Sequence, residues 1–203
     1  MFTGHLDARA QAVRLGFGAV KIVALFLTIL AALRWWRFEG DVRRALTPSW
    51  RVAKSLGFVA LVQIGGDLLG LGIGTAIVAA IGDPSRAARI AALLLPLLGW
   101  MFVAGLFYPW YVALLTEDRE MTLRRSITVM RGRLFRTCAL LITGYLPLMV
   151  VHYALGFGAM GRSGALLWAM MIVDAGVVAL FVTMLAAIYY EIFIAAKRAS
   201  SHC

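Results

Sequence analysis

Asp67 stands near the middle of a stretch, Ser55 to Gly82, that carries no other charge. An ionised carboxylate at that depth in a bilayer costs several kcal/mol, so Asp67 must be neutral, paired, or turned toward water or protein. Gln63 precedes it by one helical turn, on the same face. Three further titratable groups interrupt other apolar stretches. Asp174 lies within Ser163 to Tyr190, His152 within Thr137 to Gly161, and Lys21 within Gly16 to Leu33. Two readings stand side by side. In one, Asp67, Asp174, His152 and Lys21 form a proton or ion path. In the other, each makes a single interhelical hydrogen bond that specifies packing. Comparable depths make a Lys21–Asp174 pair geometrically possible. Lys21 and His152 are also near enough to helix ends to reach the interface along their own side chains.

Other chemistry is thinly represented. There is no GxSxG, no HExxH, no paired histidine at metal-ligand spacing and no phosphate-binding glycine loop. The cluster Glu117-Asp118-Arg119-Glu120 has the donors for a metal, but acidic residues at a helix start suit the helix dipole. It is therefore expected to cap the following helix. The two cysteines form no CxxC. Cys138 reads as a packing residue at the start of a span and Cys203 as part of an exposed polar tail. Neither a metal nor a cofactor is expected.

The elements that must position these residues are membrane helices. The 203-residue chain is 62% hydrophobic, with a mean hydropathy of +0.86. A soluble domain of this size could not hide so much apolar side chain. About 20 apolar residues cross a bilayer core, and Ile90 to Thr116 contains no charge at all. The expected fold is an all-α polytopic transmembrane bundle of five spans, at 16–34, 55–81, 89–115, 137–160 and 164–192. The first span reads as a retained helix rather than a cleaved signal, since Arg34-Trp35-Trp36-Arg37 follows it and no small-residue cleavage site does. One integral membrane domain accounts for the whole length.

The net charge of +10 is concentrated between spans. Arg34, Arg37, Arg43, Arg44, Arg51 and Lys54 fill the first long connection. Arg119, Arg124, Arg125, Arg131, Arg133 and Arg136 fill the second. The short connections around Asp83-Pro84 and Gly161-Arg162 carry little charge. The positive-inside rule then puts both long loops and the C-terminus in the cytoplasm and the N-terminus outside, with Arg9 and Arg14 opposing that last assignment. No basic domain stands free of the membrane, so nucleic acid is not an expected partner. Val42, Leu46 and Trp50 in one loop recur near helical spacing. So do Leu123, Ile127, Met130 and Leu134 in the other. Both loops are expected to lie as amphipathic helices in the headgroup plane, with Arg43, Arg44, Arg51, Arg124, Arg125, Arg131 and Arg133 meeting anionic lipid or an acidic partner. Trp35, Trp36, Trp50 and Trp110 are expected to anchor that interface, together with Tyr111, Tyr189 and Tyr190.

Gly66, Gly70 and Gly74 are each four residues apart, which clears one helix face for close approach by another helix of the bundle or of a second subunit. Pro96 and Pro147 interrupt the third and fourth spans, and Tyr108-Pro109-Trp110 is expected to kink the third near its basic end.

The segment from Glu117 to Arg136 resembles the one preceding a span in bacterial multi-pass families of the glycerophosphodiester phosphodiesterase membrane-domain and YciC-like type. Glu117, Ser126 and Gly132 match its acidic residue, helix serine and pre-span glycine. The resemblance covers about 20 of the residues and does not include a catalytic phosphodiesterase domain. It implies a helical bundle of a bacterial inner membrane, and those families often have six spans rather than five. Three functions are therefore weighed. The first is a non-enzymatic accessory or assembly subunit that binds lipid and a partner, within a larger complex or a homo-oligomer. The second is a small transporter or ion-coupled permease using Asp67 and Asp174. The third is a membrane-embedded lipid enzyme working near Glu117–Glu120 and Arg124/Arg125.

Overall fold

A computed structural model describes residues 8–82, 85–159 and 163–200. Asp83, Pro84, Gly161, Arg162 and Cys203 lie outside the described residues, as do the side chains of Arg9 and Arg14. The described residues form eight helices and no strand: α1 (Ala8–Arg37), α2 (Val42–Leu46), α3 (Trp50–Ile81), α4 (Arg86–Gly105), α5 (Tyr108–Thr116), α6 (Leu123–Met130), α7 (Leu134–Ala159) and α8 (Gly164–Ser200). Five of them, α1, α3, α4, α7 and α8, are long and apolar enough to cross a membrane. The protein is an all-α polytopic bundle.

Local chemistry sets the helix starts. The side chains of Asp41, Ser49, Ser85 and Thr122 accept the free amides of Arg44, Val52, Ala88 and Arg125, so α2, α3, α4 and α6 each begin at a side-chain cap. The helix following the acidic cluster is therefore capped by Thr122 and not by Glu117–Glu120. Trp50, expected in the first connecting loop, is instead the first residue of α3.

The third span also departs from expectation. It is two helices, α4 and α5, separated at Leu106-Phe107, and not one kinked rod. Pro109 has no amide to donate, which suits it to the first turn of a new helix. The amides of Leu106 and Phe107 turn back to the carbonyls of Val103 and Ala104, closing a tight turn. The Leu106 carbonyl accepts the Ser126 hydroxyl at 2.7 Å, from a serine that is fully buried. Breaking a helix frees backbone groups that must find partners, and α6 supplies one.

Two antiparallel pairs form the frame. In α3–α4 the glycine stripe meets α4: Gly66 faces the Trp100 ring, Gly70 faces Pro96 and Leu97, and Gly74 faces Ala92 and Leu93. Pro96 deprives the Ala92 carbonyl of its helical donor, and this is the carbonyl nearest the bare side of Gly74. Close approach there puts the Gly74 backbone against an acceptor that its own helix leaves open. In α7–α8, Gly144 receives Ile188 and Met184, Gly158 receives Met170, and the Tyr145 ring meets Phe181 edge-on at 4.5 Å. Helix α8 also packs on α1, α5 and α6, and α5 lies against α1, α3 and α8.

The largest cluster joins Leu33, Val52, Val112, Val182 and Phe193 from four helices. A second joins Val59, Ala104, Tyr108, Tyr111 and Leu141. Both lie toward the end carrying the arginines. Toward the opposite end, Val20, Val23, Leu68, Leu95, Val150 and Ile172 are exposed apolar surface. Lipid is the solvent such a surface suits.

Candidate functional site

The arginine-bearing end is built around Arg34, whose burial the sequence does not signal. It ends the apolar part of α1 and is only 2% exposed. Its guanidinium donates to the carbonyls of Ala45 (3.1 Å), Arg44 (2.8 Å) and Thr47 (3.5 Å), and reaches Glu117 at 3.5 Å. A planar fork of five donors suits this set of acceptors. Ala45, the inward residue of α2, is thereby held under α1, while Val42 and Leu46 face outward.

Glu117 closes α5 in the left-handed region at φ +59°. That region disfavours residues other than glycine, but here the side chain is anchored. It accepts the Ser49 hydroxyl at 2.6 Å, as well as Arg34. The turn sends the Asp118 amide back to the Ala113 carbonyl. Asp118 then meets Lys197 of α8 at 2.7 Å and Arg37 of α1 at 3.9 Å, and Lys197 also holds Glu120 at 2.8 Å. The acidic cluster expected to act as a helix cap is therefore an ionic latch joining α1, α3, α5 and α8. The described residues contain no cluster of three potential metal ligands.

The latch carries a pH dependence. The Ser49 hydroxyl bond, opposed by burial and aided by Arg34, holds the Glu117 carboxyl below its ordinary 4.5. Burial pushes Asp118 up, but Lys197, the Glu120 amide and Arg37 outweigh it and hold the carboxyl below 3.8. Groups with depressed folded values contribute stability above their unfolded values, and that contribution is lost as pH falls through the folded ones. Thermal midpoints in detergent should hold from neutral pH down to about 5, then fall with further acidification. Glu117→Gln and Asp118→Asn should flatten the fall. An equally steep fall in both variants would place the titration elsewhere.

Of the arginines expected at the surface, Arg43, Arg44, Arg51, Arg124 and Arg131 are exposed. Two are not free for docking. Arg125 donates to the Glu120 carbonyl at 3.3 Å, and Arg133 donates to the Ala195 carbonyl of α8 at 3.3 Å. The apolar stripe foreseen on α6 also splits. Met130 turns inward with Ser126, whereas Leu123 and Ile127 border a shallow outer depression with Arg124, Thr128 and Arg131. Among the tryptophans, Trp50 is 73% exposed beside Lys54, and Trp35 is exposed as well. Trp36 instead packs on Tyr190, and Trp110 packs between Phe58 and Tyr111. Two of the four tryptophans of the expected belt, together with Tyr111, Tyr189 and Tyr190, thus form an internal layer. Of the residues carrying the family resemblance, Glu117 and Ser126 secure the two ends of α5, and a side chain at Gly132 would meet open space.

Within the spans, the polar residues separate into two pairs. Gln63 Nε2 donates to Asp67 at 3.3 Å, both on α3. His152 Nδ1 and Asp174 Oδ1 meet at 2.6 Å, joining α7 to α8. Asp174 is therefore engaged by His152 and not by Lys21, which lies exposed on α1. The helix register explains the choice. His152 and Asp174 each lie seven residues from the Tyr145–Phe181 contact, so the antiparallel pair brings them face to face two turns further out. No hydrogen bond or ion pair among the described residues links Asp67 to Asp174. Comparison of the chain with family models, with curated proteins and with solved structures finds no match.

Proposed function

We propose that this protein is a non-catalytic multi-pass subunit of a bacterial inner membrane that docks on anionic headgroups at its cytoplasmic face and assembles there with a partner. The supporting observation is the disposition of charge at the arginine-bearing end. Asp41 is spent on a helix cap, and Glu117, Asp118 and Glu120 on internal ion pairs. Exposed Arg43, Arg44, Arg51, Arg124 and Arg131 are thus left with few opposing carboxylates. Exposed Val42, Leu46, Trp50 and Leu123 and half-buried Ile127 lie among them. A basic surface interleaved with apolar side chains fits the boundary between headgroups and acyl chains. Each arginine near an anionic surface contributes about 1 kcal/mol. The positive-inside rule orients this end, and with it the end of α8, toward the cytoplasm.

Native mass spectrometry of protein purified in mild detergent tests the reading. The wild type should retain phosphatidylglycerol or cardiolipin in preference to phosphatidylethanolamine. Arg43→Glu/Arg124→Glu/Arg131→Glu should lose the preference while keeping its melting temperature. Identical lipid profiles for the two would refute the docking surface.

A further inference from the structure

Helix α6 is fixed in place by its own contacts. The Thr122 side chain caps its first turn, the buried Ser126 hydroxyl donates to the Leu106 carbonyl, and Met130 is buried. Ser126 and Met130 are four residues apart and mark the inward side. Arg124, Thr128 and Arg131 are spaced by four and three residues, so they stack on the opposite side. Leu123 and Ile127 run along the edge of that stack. Together these five residues line an outward depression of about 420 Å³, within the range of small-ligand sites.

The lining is divided between charge and apolar surface. Arg124 and Arg131 are exposed, and neither guanidinium makes a hydrogen bond or ion pair among the described residues. No carboxylate lines the depression. Arg125 and Arg133 are engaged elsewhere, on the Glu120 and Ala195 carbonyls. The Thr128 hydroxyl donates to the Arg124 carbonyl at 3.0 Å, so the two guanidiniums are the donors left for a ligand. They spring from positions seven residues, about 10 Å, apart along the axis. Each fork can take one phosphate in a bidentate pair. A single phosphodiester balances only one of the two charges. Two phosphates joined through one glycerol balance both, and the second contact is then intramolecular. The Leu123–Ile127 edge suits the acyl chains that such a headgroup carries.

We propose that the outer face of α6 holds one diphosphatidyl lipid of the cardiolipin class, with Arg124 and Arg131 each taking a phosphate. This inference rests on headgroup docking at the basic end and narrows it to one lipid at one place.

The test is a lipid titration of the delipidated full-length protein, read by native mass spectrometry. Tetraoleoyl cardiolipin, dioleoyl phosphatidylglycerol and dioleoyl phosphatidylethanolamine carry the same acyl chains and differ in headgroup. At equal phosphate, the wild type should bind its first cardiolipin roughly tenfold or more tightly than phosphatidylglycerol. Arg124→Gln and Arg131→Gln should each bring that ratio to within roughly threefold, because one fork gains nothing from a second phosphate. Arg119→Gln removes the same charge from an exposed position in the same connection, outside the depression, and should leave the ratio at its wild-type value. Equal binding of the two anionic lipids, both above phosphatidylethanolamine, overturns the α6 site while leaving docking at the basic end intact. Equal binding of all three refutes docking as well. A cardiolipin preference that survives in Arg124→Gln and Arg131→Gln, or that Arg119→Gln weakens as much as they do, also overturns the site, since the attraction would then belong to the overall charge.

Discussion

Gly74→Ala is expected to destabilise the protein by about 2 kcal/mol, because a single methyl group has no room to enter the α3–α4 contact. A Cβ at this position would lie 2.8 Å from the Ala92 carbonyl and 2.9 Å from the Leu93 Cα, both backbone atoms that cannot rotate away. Gly70→Ala should cost less, since its closest neighbour is the end of the Leu97 side chain at 3.1 Å, which can shift. Gly72→Ala meets open space and should be neutral or slightly stabilising, as alanine is the better helix former. Reversible unfolding in mixed detergent would rank the three. If Gly74→Ala and Gly72→Ala unfold together, backbone proximity is not what holds this hairpin. The comparison also separates packing from propensity, because all three substitutions make the same chemical change on the same helix.

Removing the guanidinium at Arg34 is the second large effect. Arg34→Met keeps most of the apolar stem but leaves three carbonyls without their donor, and an unsatisfied buried group costs about 1–3 kcal/mol. The pair with Glu117 adds little, because that carboxylate is 43% exposed and water screens it. A net loss of about 2–3 kcal/mol is expected, with α2 released from α1 before the bundle unfolds. Arg34→Lys should recover only a small part, since one ammonium cannot span acceptors that a fork reaches from several sides. Hydrogen exchange would localise the change. Amides of α2 should lose protection in Arg34→Met while those of α7 keep theirs, whereas uniform loss across the chain would contradict a local clasp.

The five membrane-crossing helices were legible because crossing a bilayer imposes length and apolarity, both written directly in residue order. The spacing of Gly66, Gly70 and Gly74 was equally plain, but spacing names a face and not the helix that meets it. The break at Leu106-Phe107 was hidden for a related reason. An uncharged run from Ile90 to Thr116 satisfies hydropathy whether or not its backbone is continuous, and the compensating hydroxyl, Ser126, comes from a different segment. Arg34 reads as one more cation of a basic loop, since its burial depends on where α2 folds back. The partner of Asp174 required a register between α7 and α8 that only their packing supplies. Depth alone allowed Lys21 as well. In each case the missing information was a contact between distant parts of the chain.

Helix α8 touches α1, α5, α6 and α7, and all four precede it in the chain. During synthesis α1 must therefore enter the membrane and wait while more than a hundred residues are added. At about 5–20 residues per second that delay is on the order of ten seconds. Over that interval the α3–α4 hairpin can close on its own glycines, but the cluster around Leu33 and Val112 cannot form without Phe193. A half-made chain thus holds its apolar helices together only loosely. Defects in α8 should then appear as degradation of newly made protein rather than as a weakened mature form.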